Sequence, residues 1–249
     1  MNYSNDMILK DKKICYYFKY LDWDSVFFDR PSYLLDLNKS KLMSSEVIKK
    51  EIKDKLKNSF ITVKLDTKSE YKILSFLQEC GFYYIDTEVT LEYVTNKKKK
   101  KLSSEVQIIK ESKNKNLPYT DFEEVFTLTR FHTDLNIDNK KADELWMNYL
   151  KNYELSDSKH MFCAKVNNEL AGIVLVNIDN KVASLFFVAV IDKFRDLGIG
   201  SALIDNAIRY FKGYTIRVGT QVKNINALNF YINNGLSKIN KISTVLHKW

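Results

Sequence analysis

Proline is almost missing from this sequence, at 2 residues, and glycine is scarce, at 7 in 249. So few breakers exclude a Pro/Gly-rich low-complexity chain and leave long stretches free to form helices and strands. Each glycine then marks a point where the backbone needs unusual geometry or close approach. Cysteine and histidine number 3 each. Cys15, Cys80 and Cys163 are far apart and odd in number, which excludes a fully paired disulfide framework; with the scattered histidines they lack metal-ligand spacing. They read as reduced, mostly buried thiols of a cytoplasmic protein that uses no metal. No apolar run reaches the roughly 18 residues that a membrane span needs. The opening MNYSNDMILKDKK carries no apolar stretch of the secretory type.

Apolar and basic residues are what the chain has in quantity. Hydrophobic residues make up 45% and aromatics 13%, with 15 Tyr and 15 Phe, enough for a sizeable core. A net charge of +8 raises the question of a nucleic-acid partner. Five of the lysines, however, form one run from Lys97 to Lys101 with no interleaved aromatics, the pattern of a solvated connector. No nucleic-acid partner is expected, whereas a mild positive field favours phosphate-bearing cofactors and substrates. The run sits in NKKKKKLSSE, Asn96 to Glu105, and divides the chain into residues 1–95, a linker at 96–104, and residues 105–249.

Periodicity predicts β, β, α, β, α, β for the first part, with strands at Ile14–Tyr20, Phe60–Leu65 and Tyr83–Val94. Ser44 to Leu56 reads as a helix capped by Ser44, with Val47, Ile48, Ile52 and Leu56 on one face. Ser69 to Glu79 reads as a helix stopped at Gly81. The second part reads as a strand at Val106–Lys110, helices at Asp121–Phe131 and Lys140–Tyr153, then strands at Met161–Val166, Leu170–Ile178 and Val182–Val190. Asn167-Asn168 and Asp179-Asn180 supply the turns. A helix from about Gly200 to Phe211, strand Thr215–Gln221, helix Asn226–Asn233 and strand Ile239–His247 complete an α/β order in which an antiparallel meander feeds a crossover helix. LSFLQECGF, Leu74 to Phe82, parallels LNFYINNGL, Leu228 to Leu236, so both halves read as versions of one fold.

The sharpest feature is VAVIDKFRDLGIGSAL, Val188 to Leu203. A strand ends, a short loop carries Arg-x-x-Gly-x-Gly, and an amphipathic helix begins. The glycines let a ligand approach the backbone, and free amides at the positive end of a helix suit a pyrophosphate. A Walker loop would need Lys before Ser201, and the dinucleotide fingerprint would need Gly at Leu203. The segment resembles the acetyl-CoA-binding motif of the GNAT N-acetyltransferases, with Asp196 where that family often has Gly. The resemblance implies that Val188, Ala189 and Val190 pair with pantetheine. It also implies that the loop of Arg195, Asp196, Leu197, Gly198, Ile199, Gly200 and Ser201 holds the pyrophosphate. The fold it implies is α/β, a mixed and largely antiparallel sheet whose fourth and fifth strands splay into a cofactor cleft. A smaller, degenerate GNAT-like domain would precede it.

NINALNFYINNGL, Asn224 to Leu236, resembles the N-x-x-A-x-x-x-Y-x-x-x-G-F element of the same family, with Leu236 in place of Phe. On a helix Ala227 and Tyr231 share a face. The small Ala227 lets cofactor lie against the helix, and Tyr231, with an ordinary pKa near 10, holds the proton a departing thiolate needs. Asn224 positions the cofactor or the helix. No Ser-His-Asp or Cys-His set is evident, so direct attack of an amine on the thioester is expected.

Two further segments resemble the bacterial dTDP-fucosamine acetyltransferase group within that family. They are LDWDSVFF, Leu21 to Phe28, and TRFHTD, Thr129 to Asp134, followed by ADELW, Ala142 to Trp146. That resemblance implies a small-molecule acceptor, the amine of a nucleotide-linked 4-amino-4,6-dideoxy sugar used in surface polysaccharide synthesis. Arg130, His132 and Asp134 would border its pocket, on a loop. A protein or peptide amine, another small amine, and a silent acyl-CoA-binding module stay open beside it, and so does the association state, a homodimer included.

Overall fold

A computed structural model describes residues 5–68, 71–94, 106–111, 119–122, 125 and 127–249. The run Lys97–Lys101 and the connector around it lie outside the described residues. The chain forms two compact units, one of residues 1–88 with 242–249 and one of residues 89–241.

In the first unit, β1 (Met7–Asp11) pairs antiparallel with β2 (Ile14–Tyr20), and β2 with β3 (Ser32–Leu35). β3 lies parallel to β4 (Phe60–Asp66), which takes the end of β11 (Leu236–Lys248) as an antiparallel neighbour, Ser243 opposite Asp66. Three helices accompany these strands: α1 (Asp22–Phe28), α2 (Glu46–Lys55) and α3 (Tyr71–Glu79). The cap of α2 is Ser45 and not Ser44, its Oγ accepting from Ile48 N at 3.3 Å. Ile48, Ile52 and Leu56 are fully buried, each contributing roughly 1.5–3 kcal/mol. Val47, expected on that face, is 52% exposed, because it lies a helical step outside the stripe.

The sequence pattern does not reveal α1. Its core is aromatic and β-branched, which favours strands, and Leu21 offers no side-chain cap. Tertiary contacts hold it instead. Ser25 Oγ donates to Leu21 O at 2.8 Å and accepts from Ser32 N at 2.9 Å, and Phe28 packs on Phe60 and Trp249 with ring centroids at 4.8 and 5.5 Å. The LDWDSVFF segment is thereby part of the packing of this unit.

The second unit is built on β6 (Val106–Glu111), β7 (Lys159–Val166), β8 (Glu169–Asp179) and β9 (Val182–Val190), an antiparallel meander. β10 (Thr215–Gln221) joins β9 in parallel, and β5 (Tyr83–Tyr93) follows β10 in the order. The sheet is therefore mixed. Asn167 and Asn168 take positive φ at the first hairpin, as two-residue turns demand. At the second hairpin the left-handed pair is Asn180 and Lys181, one residue later than the sequence suggests.

Between these strands run α4 (Arg130–Thr133), α5 (Asn139–Lys151), α6 (Ile199–Tyr210) and α7 (Ile225–Asn233). Met147, Leu150 and Tyr153 pack with Phe122 on the face of Met161, Ile173, Leu175, Phe187 and Ala189. α6 covers the opposite face, where Ile199 and Leu203 close on Gly172. The single helix expected at Asp121–Phe131 does not form as such. A 3₁₀ turn spans Tyr119–Phe122, and Thr129 is extended, with φ −99° and ψ 165°, as the N-cap of α4. Its hydroxyl competes for the backbone and starts a new helix there. No helix among the described residues is long and apolar enough to cross a membrane.

Candidate functional site

Strand geometry sets up the site. In the β8–β9 ladder Leu175 faces Phe187 and Val176 faces Leu185, so Phe186 is an extra residue, a bulge. The β9–β10 register runs from Val182↔Thr215 to Leu185↔Val218 and stops there, at the bulge. Past it, Val188, Ala189 and Val190 pair with Val174, Ile173 and Gly172 of β8. Ala189 is buried in the core, and Val188 and Val190 are half-buried on the other face.

After β9 a short 3₁₀ turn, Asp192–Phe194, leads into the loop. Arg195 pairs with Asp192 at 2.7 Å, both side chains exposed. Asp196 has φ 62° and Gly198 has φ 79°, two left-handed residues that swing the chain into α6. The Asp at a position suited to Gly is tolerated because short Asx side chains are the ones that visit this region. Gly198 is the N-cap of α6 and has no side chain to cap it. Ala202 N is the first amide to bond back, to Gly198 O at 3.0 Å. The amides of Ile199, Gly200 and Ser201 precede the first helical bond and sit at the positive end of the dipole.

The two glycines of the loop differ in purpose. A Cβ on Gly198 would meet nothing within 4 Å, so that residue serves backbone conformation and leaves open space. A Cβ on Gly200 would lie 2.9 Å from Phe230 Cζ and 3.5 Å from Val190 Cγ2. Gly200 is thus where α6 and α7 touch. Gly172 has a matching role that sequence reasoning missed: a Cβ there would lie 2.8 Å from Ala189 O and 3.2 Å from Leu203. A glycine inside an apolar strand was the available signal.

On α7, Asn224 is the N-cap, its Oδ1 accepting from Ala227 N at 3.1 Å. Ala227 is half-buried, one turn before Tyr231. Tyr231 is 8% exposed, and burial pushes its hydroxyl pKa above the ordinary 10. The phenol therefore keeps its proton throughout the neutral range. Gly235, at φ 87°, turns the chain out of the helix into β11.

Arg130 and His132 lie on the single turn of α4 and Asp134 is its C-cap, so these residues are not on a loop. Thr129 nucleates that turn. Both His132 ring nitrogens are engaged, Nδ1 with Thr129 Oγ1 at 2.7 Å and Nε2 with Asp143 Oδ1 at 3.0 Å, which ties α4 to α5. Asp134 is 1% exposed and accepts from Asn136 N at 3.0 Å. Arg130 Nε is buried without a hydrogen-bond partner among the described residues. Lys223, between β10 and α7, donates to Thr133, which brings α4 to the end of β10. Trp146 of α5 lies against Phe186 and Phe187, centroids at 6.4 and 6.3 Å, and Tyr149 against Phe186 at 6.1 Å. An aromatic wall thus stands at the bulge, which no sequence signal marked.

Residues 122–235 match the model of the acetyltransferase (GNAT) family. Among solved structures, a functionally unknown conserved protein from Staphylococcus epidermidis is 16% identical with a TM-score of 0.64, over 99% of this chain and 95% of that one. A GCN5-related N-acetyltransferase from Kribbella flavida is 10% identical with a TM-score of 0.59, over 98% and 89%. A tandem GNAT protein from the clavulanic acid biosynthesis pathway is 10% identical with a TM-score of 0.56, over 94% and 78%. No curated protein matches the sequence. Residues 122–235 are thus similar to the GNAT acetyltransferase family, and the likeness to these solved structures is one of fold.

Proposed function

We propose that the chain transfers the acetyl group of acetyl-CoA to the amine of a small acceptor, a nucleotide-linked 4-amino-4,6-dideoxy sugar, with Tyr231 as general acid. The observation that carries this reading is the contact of Gly200 with Phe230. It sets the uncapped amides of α6 beside the helix that holds a buried, protonated tyrosine.

The amides of Ile199, Gly200 and Ser201, with the loop from Arg195 to Gly198, receive the pyrophosphate; Arg195 exchanges Asp192 for a phosphate oxygen. The backbone of Val188 to Val190, past the point where β10 stops pairing, takes the pantetheine arm. Ala227 leaves room for that arm along α7. The acceptor amine, in its neutral form, attacks the thioester carbonyl. The C–S bond breaks, and Tyr231 gives its proton to the departing sulfur while the nitrogen loses one to solvent. Arg130, with a buried and unsatisfied Nε, is the acceptor contact, and the aromatic wall of Trp146 and Phe186 suits a flat or deoxy ring face. His132 and Asp134 position α4. Residues 1–95 act as a reduced, non-catalytic copy of the same fold, a reading supported by the likeness to a tandem GNAT protein.

The test is Tyr231→Phe, assayed by CoA thiol release and by calorimetry with acetyl-CoA. Turnover should fall by about 10² to 10⁴, the usual scale for a lost general acid, with cofactor affinity kept. Turnover equal to wild type would remove Tyr231 from the mechanism, and no saturable heat with CoA would remove the cradle.

A further inference from the structure

The first unit holds a cavity, widely open to solvent, that acetyl transfer does not use. Its volume is about 390 Å³, and it is lined by Lys53 and Lys57 at the end of α2, by Gln78, Cys80 and Gly81 at the end of α3, and by Lys248 of β11. Lys248 is the unusual member. It is only 6% exposed, and its Nζ donates to Leu56 O, at the C-cap of α2, at 2.8 Å. An ammonium has three donors, so this carbonyl meets one of them. Burial also lowers the pKa of this lysine, because its ammonium gives up hydration there.

The surrounding charges do not balance the lysines. Glu79 also borders the cavity, its carboxylate held at 2.5 Å by Lys49, a cation shared with Glu46 at 3.7 Å, so these three groups together are net negative but by less than the three lysines of the lining supply. The two helix ends contribute roughly −0.5 charge each. Against them stand three ammonium groups, so the cavity keeps a positive excess. The size falls at the lower end of small-ligand pockets, which run from about 300 to 1,000 Å³.

We propose that this cavity binds a small phosphate-bearing anion, with Lys53, Lys57 and Lys248 as its cationic contacts. The site is independent of the thioester chemistry and lies within the first unit. The probe is inorganic pyrophosphate, titrated into the full chain at constant ionic strength and followed by amide NMR. The glycine amides are few, and Gly81 reports this cavity while Gly198 and Gly200 report the start of α6. A saturable shift of Gly81 is expected. In Lys53→Gln/Lys57→Gln the dissociation constant read at Gly81 should rise about tenfold or more, with the Gly198 response unchanged. Lys248→Met should abolish the Gly81 response; if that variant does not fold, the double variant decides. A Gly81 signal that stays still at millimolar pyrophosphate, or that responds equally in the double variant, overturns the proposal.

Discussion

Asp196 shows how one side chain can carry two opposed consequences. Its φ of 62° is a conformation that glycine takes freely and that most other residues avoid. Replacing it by Gly relieves that strain but adds freedom to the unfolded chain, and the two changes are each about 0.5–1 kcal/mol, so stability should hardly move. Charge is different. A carboxylate beside a bound pyrophosphate costs about 1 kcal/mol at 4 Å even in bulk water. Asp196→Gly is therefore expected to tighten acetyl-CoA binding three- to fivefold, read by calorimetry, with the melting temperature nearly constant. Weaker binding would mean that the carboxylate supports the loop in a way its exposure does not suggest.

Helix contacts decide the next level. Alanine at position 200 would improve helix propensity by up to about 1 kcal/mol. It would also place a Cβ 2.9 Å from the Phe230 ring, and overpacking of that kind costs about 1–3 kcal/mol. The clash wins. Gly200→Ala should lower the melting temperature by a few degrees, and Gly200→Ala/Phe230→Leu should recover most of the loss. Because Phe230 precedes Tyr231 on α7, with ring centroids 5.3 Å apart, the single variant should also lose turnover. A single variant as stable as wild type would show that Phe230 moves aside at no cost. The same contact separates what was legible from what was not. The glycine pair and the turn it makes into α6 stand in the sequence, whereas the identity of the atom that forbids a side chain at Gly200 comes from another helix.

Across the second unit, Glu92 of β5 joins strands that are distant in sequence. Its carboxylate accepts from Lys238 Nζ of β11 at 2.8 Å and from Arg217 Nε and Nη2 of β10 at 3.1 and 3.0 Å. The Lys238 hydrogen bond, then that of Arg217, holds the Glu92 pKa below the ordinary carboxylate value. A pKa depressed by folding contributes stability above the unfolded value, about 4.3, and that contribution is lost as pH falls through it toward the folded one. Glu92→Gln should therefore melt below wild type at pH 6, and the gap should close on going to pH 3, measured by circular dichroism. A gap independent of pH would exclude the ionised network as its source. Local rules made much of this protein readable from its residues: hairpin asparagines, helix stripes, the loop from Arg195 to Gly200 and the Ala227–Tyr231 spacing each follow from a few neighbours along the chain. Long-range pairing settled the rest. The Glu92 ion network, the packing of Phe28 on Phe60 and Trp249, and the return of the last strand to β4 all depend on partners dozens to hundreds of residues away, and periodicity within a segment carries no record of what will lie beside it.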